Sequence, residues 1–502
     1  MLGVFLFDAV SVALLERMLD DGRLPNLAAL RARGRWQTIA SPAVYFGDRE
    51  TAHSGVEVAD HGQTFPLQWS QAEQRLRFVT SFAVPEAVWE RVARAGGRSL
   101  VVDPYEGRPP ARPVGTVVSG WQFAHTAVLQ RWSSPKPEYR TLSRRFGRAP
   151  EVEDVYGRPS VRGLELLRRQ LLDASDRVAR LTTDLLERHQ YDLAWIEFNA
   201  GHLAGHHFWD LAHLVDGQLD ASRRAQLEAT VTQSYAAMDA ALGEIVSALP
   251  PGADTLVFSE AGMAANHSRS DLLPEMLARV LAGARTEADA GTAAGRLLWN
   301  VRAAIPARAR MTATRILPNA VVLELGSRLF MRGVDWSRTR AFALPSDHDG
   351  YVRLNVRGRE RDGIVDPGDV DALIEEIRDG LRSFTDHDGA SCVAGVDRVE
   401  DLVGRGARSD QLPDLIVSWT ERPVLSLPGV TSPRFGDVRR RGLGIGRSGN
   451  HVDGSWVLAV PGSGRPNELG RPPRLVDVAA TVAVLLGADA AGLGGEALLT
   501  PA

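Results

Sequence analysis

The chain has 502 residues, of which 44% are hydrophobic and 24% are charged, proportions typical of a globular protein and unlike those of a disordered one. Its 58 basic and 62 acidic residues give a formal net charge of −4, so the overall charge does not predict binding to nucleic acid or to an anionic membrane. The single cysteine, Cys392, excludes an intramolecular disulfide and a zinc site built from several cysteines.

The chain begins with an apolar run, Leu2–Phe7, that predicts a strand, and a helical pattern follows to about residue 33. Strand and helix patterns then alternate. Strands are predicted at 98–102, 191–198, 254–259, 413–419 and 456–460, and helices at 161–190, 222–249 and 475–486. This alternation predicts an α/β fold with a mostly parallel central sheet and helices on both faces. We expect one domain over residues 1–502.

Two regions interrupt the alternation. Residues 104–159 are rich in proline, arginine and aromatic side chains, and residues 287–339 carry an arginine-rich helical pattern. Both are candidate insertions that cap a site. Their arginines, such as Arg108, Arg131 and Arg296, could bind an anionic group of a substrate, or they could be solvated surface side chains.

The first ten residues, MLGVFLFDAV, lack a basic start and a small-residue cleavage site, so they predict a strand rather than a signal peptide. No stretch of about 18 apolar residues occurs, so the sequence predicts no membrane span. A single cysteine is compatible with a reducing compartment. From these features we expect a cytoplasmic protein.

Polar side chains follow three of the predicted strands directly. Asp8 follows the first strand, the segment HLAGHH at 202–207 follows the strand at 191–198, and Glu260 follows the strand at 254–259. In open α/β sheets the carboxyl ends of the strands form the binding edge. These carboxylate and imidazole groups are therefore expected to converge there, as a divalent metal site requires.

Two histidines in HLAGHH have the spacing of metal ligands. His202 and His206 are four residues apart, so a helical turn places both on one face. A third imidazole, His451 in the loop RSGNHVDGS, would complete a three-histidine site with one open position. The alternatives are that His206 and His207 cap a helix or pack against aromatic neighbours, and that Asp8 caps the following helix.

Several segments, spread over nearly the whole chain, are close to the motifs of one family. They are FLFDAV, LPNLAALRARG, HSGVEVADHG, NAGHLAGHHFWDL, FSEAGM, GYVRLNVRGRERDGIV, SGNHVDG and LVDVAATVAVLLG. In these segments the chain resembles the alkaline phosphatase superfamily, most closely its type I phosphodiesterase/nucleotide pyrophosphatase branch. The resemblance implies the α/β fold of that superfamily and the chemistry of an in-line displacement assisted by two metal ions.

The resemblance also implies roles for individual residues. One metal ion would be held by His202, His206 and His451, although most relatives have Asp at the position of His202. A second ion would be held by Asp8, by the nucleophile and by an Asp-His pair. In this chain that pair is replaced by Glu260 and Ala261, which removes an imidazole.

The nucleophile segment departs from the family pattern. The expected Ser or Thr falls on Tyr45, and Asp48 is added nearby, so these two residues are our candidates for substrate-facing catalytic positions. His53 and His267 are candidates to replace the missing imidazole, and a buried helical position is the alternative for His53. We expect one Zn²⁺; the alternatives are a second ion beside it, and Mn²⁺ or Mg²⁺ in its place.

Three functions are compatible with these observations. The first is a metal-dependent hydrolase of phosphate esters acting on a small anionic substrate. The second is an altered enzyme with one metal that performs group transfer, elimination or isomerisation in a biosynthetic pathway. The third is a non-catalytic binding protein. We expect no nucleic-acid or membrane partner, and the sequence does not determine the oligomeric state.

Overall fold

A computed structural model of the chain describes residues 1–40, 47–124, 129–152, 160–212, 219–282, 334–440 and 447–502. Tyr45 and nearly all of the predicted insertion at 287–339 lie outside these residues. Among the described residues, no helix has both the length and the hydropathy needed to cross a membrane.

The strands of the described residues are β1 Leu2–Phe7, β2 Arg35–Thr38, β3 Leu67–Ser70, β4 Arg75–Phe78, β5 Ser99–Val102, β6 Gly115–Ser119, β7 Trp132–Ser134, β8 Leu193–Phe198, β9 Asp254–Ser259, β10 Gly262–Ala265, β11 Ala341–Leu344, β12 Gly350–Leu354, β13 Thr385–Asp386, β14 Val393–Arg398, β15 Leu415–Trp419, β16 Gly429–Ser432, β17 Gly436–Arg439, β18 Gly449–Val452, β19 Trp456–Val460, β20 Arg465–Pro466 and β21 Leu499–Thr500.

The α-helices of the same residues are α1 Val12–Asp20, α2 Pro25–Arg31, α3 Asp48–Ser54, α4 Val58–His61, α5 Val88–Arg94, α6 Lys136–Phe146, α7 Val161–Arg188, α8 Ala200–Phe208, α9 Ala221–Glu228, α10 Thr230–Ala248, α11 Leu273–Ala282, α12 Val370–Arg382, α13 Val399–Val403 and α14 Val476–Leu485.

The central sheet has eight strands in the order β2-β19-β9-β1-β8-β5-β6-β7. The five strands from β9 to β6 run parallel. At the two sides β19 and β7 run antiparallel to them, and the edge strand β2 pairs antiparallel with β19. The predicted α/β class with a mostly parallel sheet is therefore confirmed. The strands β6 and β7 fall within residues 104–159, so part of this predicted insertion extends the central sheet instead of capping it.

Helices cover both faces of the central sheet, as the uninterrupted apolar sequence of β1 requires. Phe5 and Phe7 belong to a core that includes buried residues of α7 and α10. Val4 and Leu6 point the other way and belong to a core that includes buried residues of α5 and α14. This double burial fixes β1 at the centre of the sheet and thereby fixes the position of the residue that follows it.

A second, antiparallel sheet has the order β11-β12-β15-β14 and forms its own core with α11 and α12. The predicted strand at 413–419 is present as β15, but it belongs to this smaller sheet. The motif GYVRLNVRGRERDGIV at 350–365 supplies β12. A short ribbon of β10 and β18 lies between the end of β9 and the helix α8.

Candidate metal centre and active site

The carboxyl edge of the central sheet gathers most of the predicted site residues. Asp8 follows β1, His202 and His206 lie on α8 directly after β8, and Glu260 follows β9. His451 lies on β18, opposite Met263 of β10. The residues that follow these strands are distant in sequence, and the parallel sheet brings them to one edge.

A close approach of β18 to α8 delivers the third imidazole. Gly449 packs so tightly that a Cβ atom there would lie 2.4 Å from the carbonyl oxygen of Gly205 and 2.9 Å from Cβ of Trp209. The amide of Ser448 also donates to the carbonyl of His206 at 2.8 Å. Glycine at 449 therefore allows the strand that carries His451 to lie directly against the helix that carries the other two histidines.

The Nε2 atoms of the three imidazoles face one another. Nε2 of His202 lies 2.7 Å from Nε2 of His206 and 3.0 Å from Nε2 of His451. The candidate ligand atoms of all three lie within 4.8 Å of one another, and the rings are buried or nearly so. Among the described residues, this is the group of histidine, cysteine and acidic side chains that could hold a metal ion.

The hydrogen bonds behind two of the rings fix their tautomers. Nδ1 of His206 donates to the carbonyl oxygen of Gly449 at 2.9 Å, and Nδ1 of His202 donates to Oδ2 of Asp8 at 2.6 Å. In the neutral rings the facing Nε2 atoms then carry lone pairs. Burial lowers the pKa of His451 well below its usual value, which keeps this ring neutral.

Lone pairs that face one another at these distances repel unless a positive charge lies among them. A proton can bridge one pair of nitrogens, whereas a divalent cation accepts all three. Neutral imidazoles whose second nitrogen is bound to a carboxylate or a carbonyl are the usual ligands of zinc and similar ions. The residues present therefore fit a metal ion, with three protein ligands and room for a fourth.

Asp8 connects this centre to a buried arginine. Its Oδ2 accepts from His202, and its Oδ1 forms an ion pair with Nη2 of Arg49. Although complete burial acts to raise the pKa of Asp8, the charge of Arg49 and the hydrogen bond from His202 hold it well below its usual range. Asp8 is therefore ionised and is bound on both sides by cationic or donor groups.

Arg49 is placed at the sheet edge by the turn that starts α3. Gly47 precedes the helix with φ of +73°, and a Cβ atom there would lie 2.4 Å from the carbonyl of Gln63 and 2.5 Å from the ring of His61. Only glycine fits both the left-handed backbone and the space. The second residue of α3 then extends inward, and the ring of Tyr105 lies 4.0 Å from the Arg49 guanidinium carbon.

Two further carboxylates surround the same guanidinium. Nη2 of Arg49 lies 3.2 Å from Oε1 of Glu260, and Nη1 lies 3.4 Å from Oε2 of Glu197. Burial and the charge of Asp8 raise the pKa of Glu260 well above its usual value. Glu197 is also bound by Nε2 of His53 at 2.6 Å. Three buried carboxylates thus surround the guanidinium of Arg49.

The candidate replacements for the missing imidazole have other partners. Ala261 itself lies in an apolar cluster with Ala9 and Met263. His53 pairs with Glu197, in line with the alternative of a buried helical residue, and the ring of His267 lies 5.9 Å from that of His348. Asp8 and Glu260, the predicted ligands of a second ion, are instead placed against Arg49.

Asp48, a predicted catalytic residue, is the first residue of α3 and is partly exposed. Burial raises the pKa of Asp48 to about 7, against the opposing effect of the positive charges of Arg49 and His348. A carboxyl group with this pKa can accept or donate a proton near neutral pH. Tyr45, the other predicted catalytic residue, lies outside the described residues and stays a prediction.

Sequence reasoning missed Arg49, Glu197 and a third participant, His348. Nε2 of His348 donates to the carbonyl of His451, and its Nδ1 lies 3.1 Å from Oδ2 of Asp349. Despite the burial of the ring, the charge of Asp349 raises the pKa of His348. His348 thus supports the strand that carries His451. The run SDHDG at 346–350, with a histidine between two acids, was the available signal.

The described arginines of the predicted insertion are engaged by the protein itself. Arg108 donates to the carbonyls of Phe82 and Val79, and Arg131 donates to Glu151 and to the carbonyl of Ala149. Arg296 lies outside the described residues. The prediction that these side chains bind an anionic substrate therefore gains no support from Arg108 and Arg131.

Comparison with known proteins found no match to a protein-family model and none among curated proteins. Among solved structures, phosphonoacetate hydrolase from Sinorhizobium meliloti 1021 is similar, with TM-scores of 0.52 for its complex with phosphonoacetate and 0.50 for its complex with phosphonoformate. In both comparisons 12% of residues are identical, and the match covers 97% of this chain and 95% of that one.

Murine ectonucleotide pyrophosphatase/phosphodiesterase 5 is also similar, with 11% identity, a TM-score of 0.47, and coverage of 99% of this chain and 100% of that one. The bacterial hydrolase is a member of the alkaline phosphatase superfamily. At 12% identity this likeness shows the fold alone. It confirms the alkaline phosphatase-like α/β architecture that the sequence motifs imply.

Proposed function

We propose that this protein is a metal-dependent hydrolase of phosphate esters or closely related phosphoryl compounds, with one divalent cation held by His202, His206 and His451. The observation that carries the proposal is the convergence of three imidazole nitrogens at the carboxyl edge of the sheet. Zinc suits three neutral imidazoles best, because Mn²⁺ and Mg²⁺ favour oxygen ligands.

The chain supplies the surroundings that such a reaction needs. A bound divalent cation stabilises negative charge on a reacting oxygen. Asp8 and the Gly449 carbonyl hold the rings of His202 and His206 in their orientations. Arg49 adds a fixed positive charge on the far side of Asp8. The reaction also needs a group that accepts or donates a proton. We assign this role to Asp48, which is partly exposed at the start of α3.

One observation favours a second candidate function. The site differs from that of a two-metal hydrolase in two respects. Arg49 contacts Asp8 and Glu260, and Ala261 lies at the position of an imidazole. An enzyme with one metal and a different reaction on an anionic substrate, such as group transfer, elimination or isomerisation, would also use this arrangement.

Metal analysis combined with an ester panel tests the proposal. Purified protein is dialysed, its metal content is measured, and hydrolysis of 4-nitrophenyl phosphate, bis(4-nitrophenyl) phosphate and a 4-nitrophenyl phosphonate is followed. We expect about one zinc ion per chain and turnover of at least one ester, both lost in His206→Ala. Replacement of the exposed His387 by Gln is the matched control and should change neither.

The outcomes separate the functions. A protein that binds no zinc after reconstitution contradicts the proposed metal centre. A protein that binds zinc through these histidines but hydrolyses none of the esters favours the second candidate function instead.

A further inference from the structure

We infer that Arg49 takes the place of the second metal ion of a two-metal site, so that this enzyme works with one exchangeable cation and one permanent, covalently attached cation. The inference rests on the proposed function and deepens it, because it assigns the second positive charge of the site to a side chain. Three observations support it: the contacts of the Arg49 guanidinium, the alanine at position 261, and the contacts of Asp8 with both Arg49 and His202.

The guanidinium occupies the space between the carboxylates that would otherwise hold an ion. Its Nη2 contacts both Asp8 and Glu260, and its Nη1 lies 3.4 Å from Glu197 and 3.4 Å from the side-chain oxygen of Asn199. The side chain of Arg49 is 12% exposed, and the three carboxylates are 0–5% exposed. A metal ion and this guanidinium cannot contact Asp8 and Glu260 in the same way at the same time.

The remaining ligand of a second ion is absent. Ala261 is 2% exposed and packs in the apolar cluster with Ala9 and Met263, where a methyl group replaces a nitrogen ligand. His53, which could have supplied an imidazole, is held by Glu197 at 2.6 Å. Among the described residues, the second position therefore offers carboxylate oxygens, which also bind zinc once no guanidinium lies among them.

Asp8 connects Arg49 to the proposed metal centre. The same carboxylate contacts Arg49 through one oxygen and the ring of His202 through the other. It thus joins the permanent cation to a ligand of the exchangeable one. Charge on both sides of a reacting group is the advantage of a two-metal site, and an arginine keeps that charge when chelators remove the metal.

Zinc stoichiometry in Arg49 variants tests the inference. Each protein is equilibrated by dialysis against micromolar Zn²⁺, and bound zinc is counted per chain. We expect one ion in the wild type, two in Arg49→Gln, where the carboxylates lose their cation, and one in Arg49→Lys, where a cation is kept. Arg269→Gln removes a buried arginine that pairs with Asp386, not with the carboxylates around Arg49, and should leave the count at one.

The results distinguish the inference from the proposed function. Two ions in the wild type, or no additional ion in a folded Arg49→Gln, would overturn the inference while leaving the histidine centre intact. No ion in the wild type but one in Arg49→Gln would support the inference and overturn the histidine centre. If Arg49→Gln does not fold, the wild-type and Arg49→Lys counts still decide, because a second ion in either contradicts a permanent cation at this position.

Discussion

Replacing Asp8 by Asn tests the link between the imidazoles and the buried arginine. Asn has nearly the same shape as Asp, so the change removes a charge without opening a cavity. In the structure Asp8 is fully buried, accepts from Nδ1 of His202 at 2.6 Å and pairs with Arg49. The substitution therefore affects one ligand of the metal centre and the fixed cation together.

Two magnitudes follow from these contacts. Loss of a carboxylate that orients a metal-binding histidine lowers metal affinity by about 10- to 100-fold, or about 1.4–2.7 kcal/mol. Loss of a hydrogen bond to a charged group lowers the free energy of unfolding by about 1.5–3 kcal/mol, and this effect is present without metal. We thus expect Asp8→Asn to weaken zinc binding and also to destabilise the metal-free protein.

Competition with a chromophoric chelator measures the zinc affinity, and urea denaturation of the metal-free protein measures the stability. Asp239→Asn is the matched control, since Asp239 is buried and accepts from the amides of Asn26 and Leu27 at the start of α2. It should lower stability without changing zinc affinity. Unchanged zinc affinity in a folded Asp8→Asn would refute the role we give this carboxylate.

Two further predictions concern α3. Gly47→Ala should lower the free energy of unfolding by more than the roughly 1–2 kcal/mol of a left-handed alanine, because its Cβ would meet neighbouring atoms at 2.4–2.5 Å. Gly22→Ala, with φ of +67° and open space, should show the backbone effect alone in the same denaturation experiment, and equal losses would contradict the packing argument. Asp48 has its pKa raised from 3.8 to about 7, so it stabilises the fold below about pH 4 and loses that contribution as the pH rises through 7. Asp48→Asn should therefore gain stability relative to the wild type between about pH 5 and pH 8 in metal-free protein, and a constant difference would show that the carboxyl titrates normally.

The sequence predicts the central sheet well because its strands are local apolar runs between helices. β1, β9 and β19 begin and end at the predicted residues, and α7 differs from its prediction by two residues at its end. The direction of β19 was not predictable, since an apolar run of five residues is the same in a parallel and an antiparallel strand. The small sheet around β12 and β15 was missed for a related reason: no local pattern says which of two sheets a strand joins.

The site was predicted in part. The structure brings together His202, His206 and His451, whose spacing and strand-end positions are readable in the sequence. The place of Arg49 was not readable, because its partners Glu197 and Glu260 are more than 140 residues away in the chain. Counting along a family motif drew attention to Tyr45, whereas the charged run DRE at 48–50 was the local sign that this segment had changed.

Anomalous scattering at the zinc absorption edge, recorded from crystals of the zinc-reconstituted protein, tests the central claim most directly. We expect one peak, among the Nε2 atoms of His202, His206 and His451, and the Arg49 side chain between Asp8 and Glu260. A map with no peak at the three imidazoles would contradict the metal centre on which the proposed function depends.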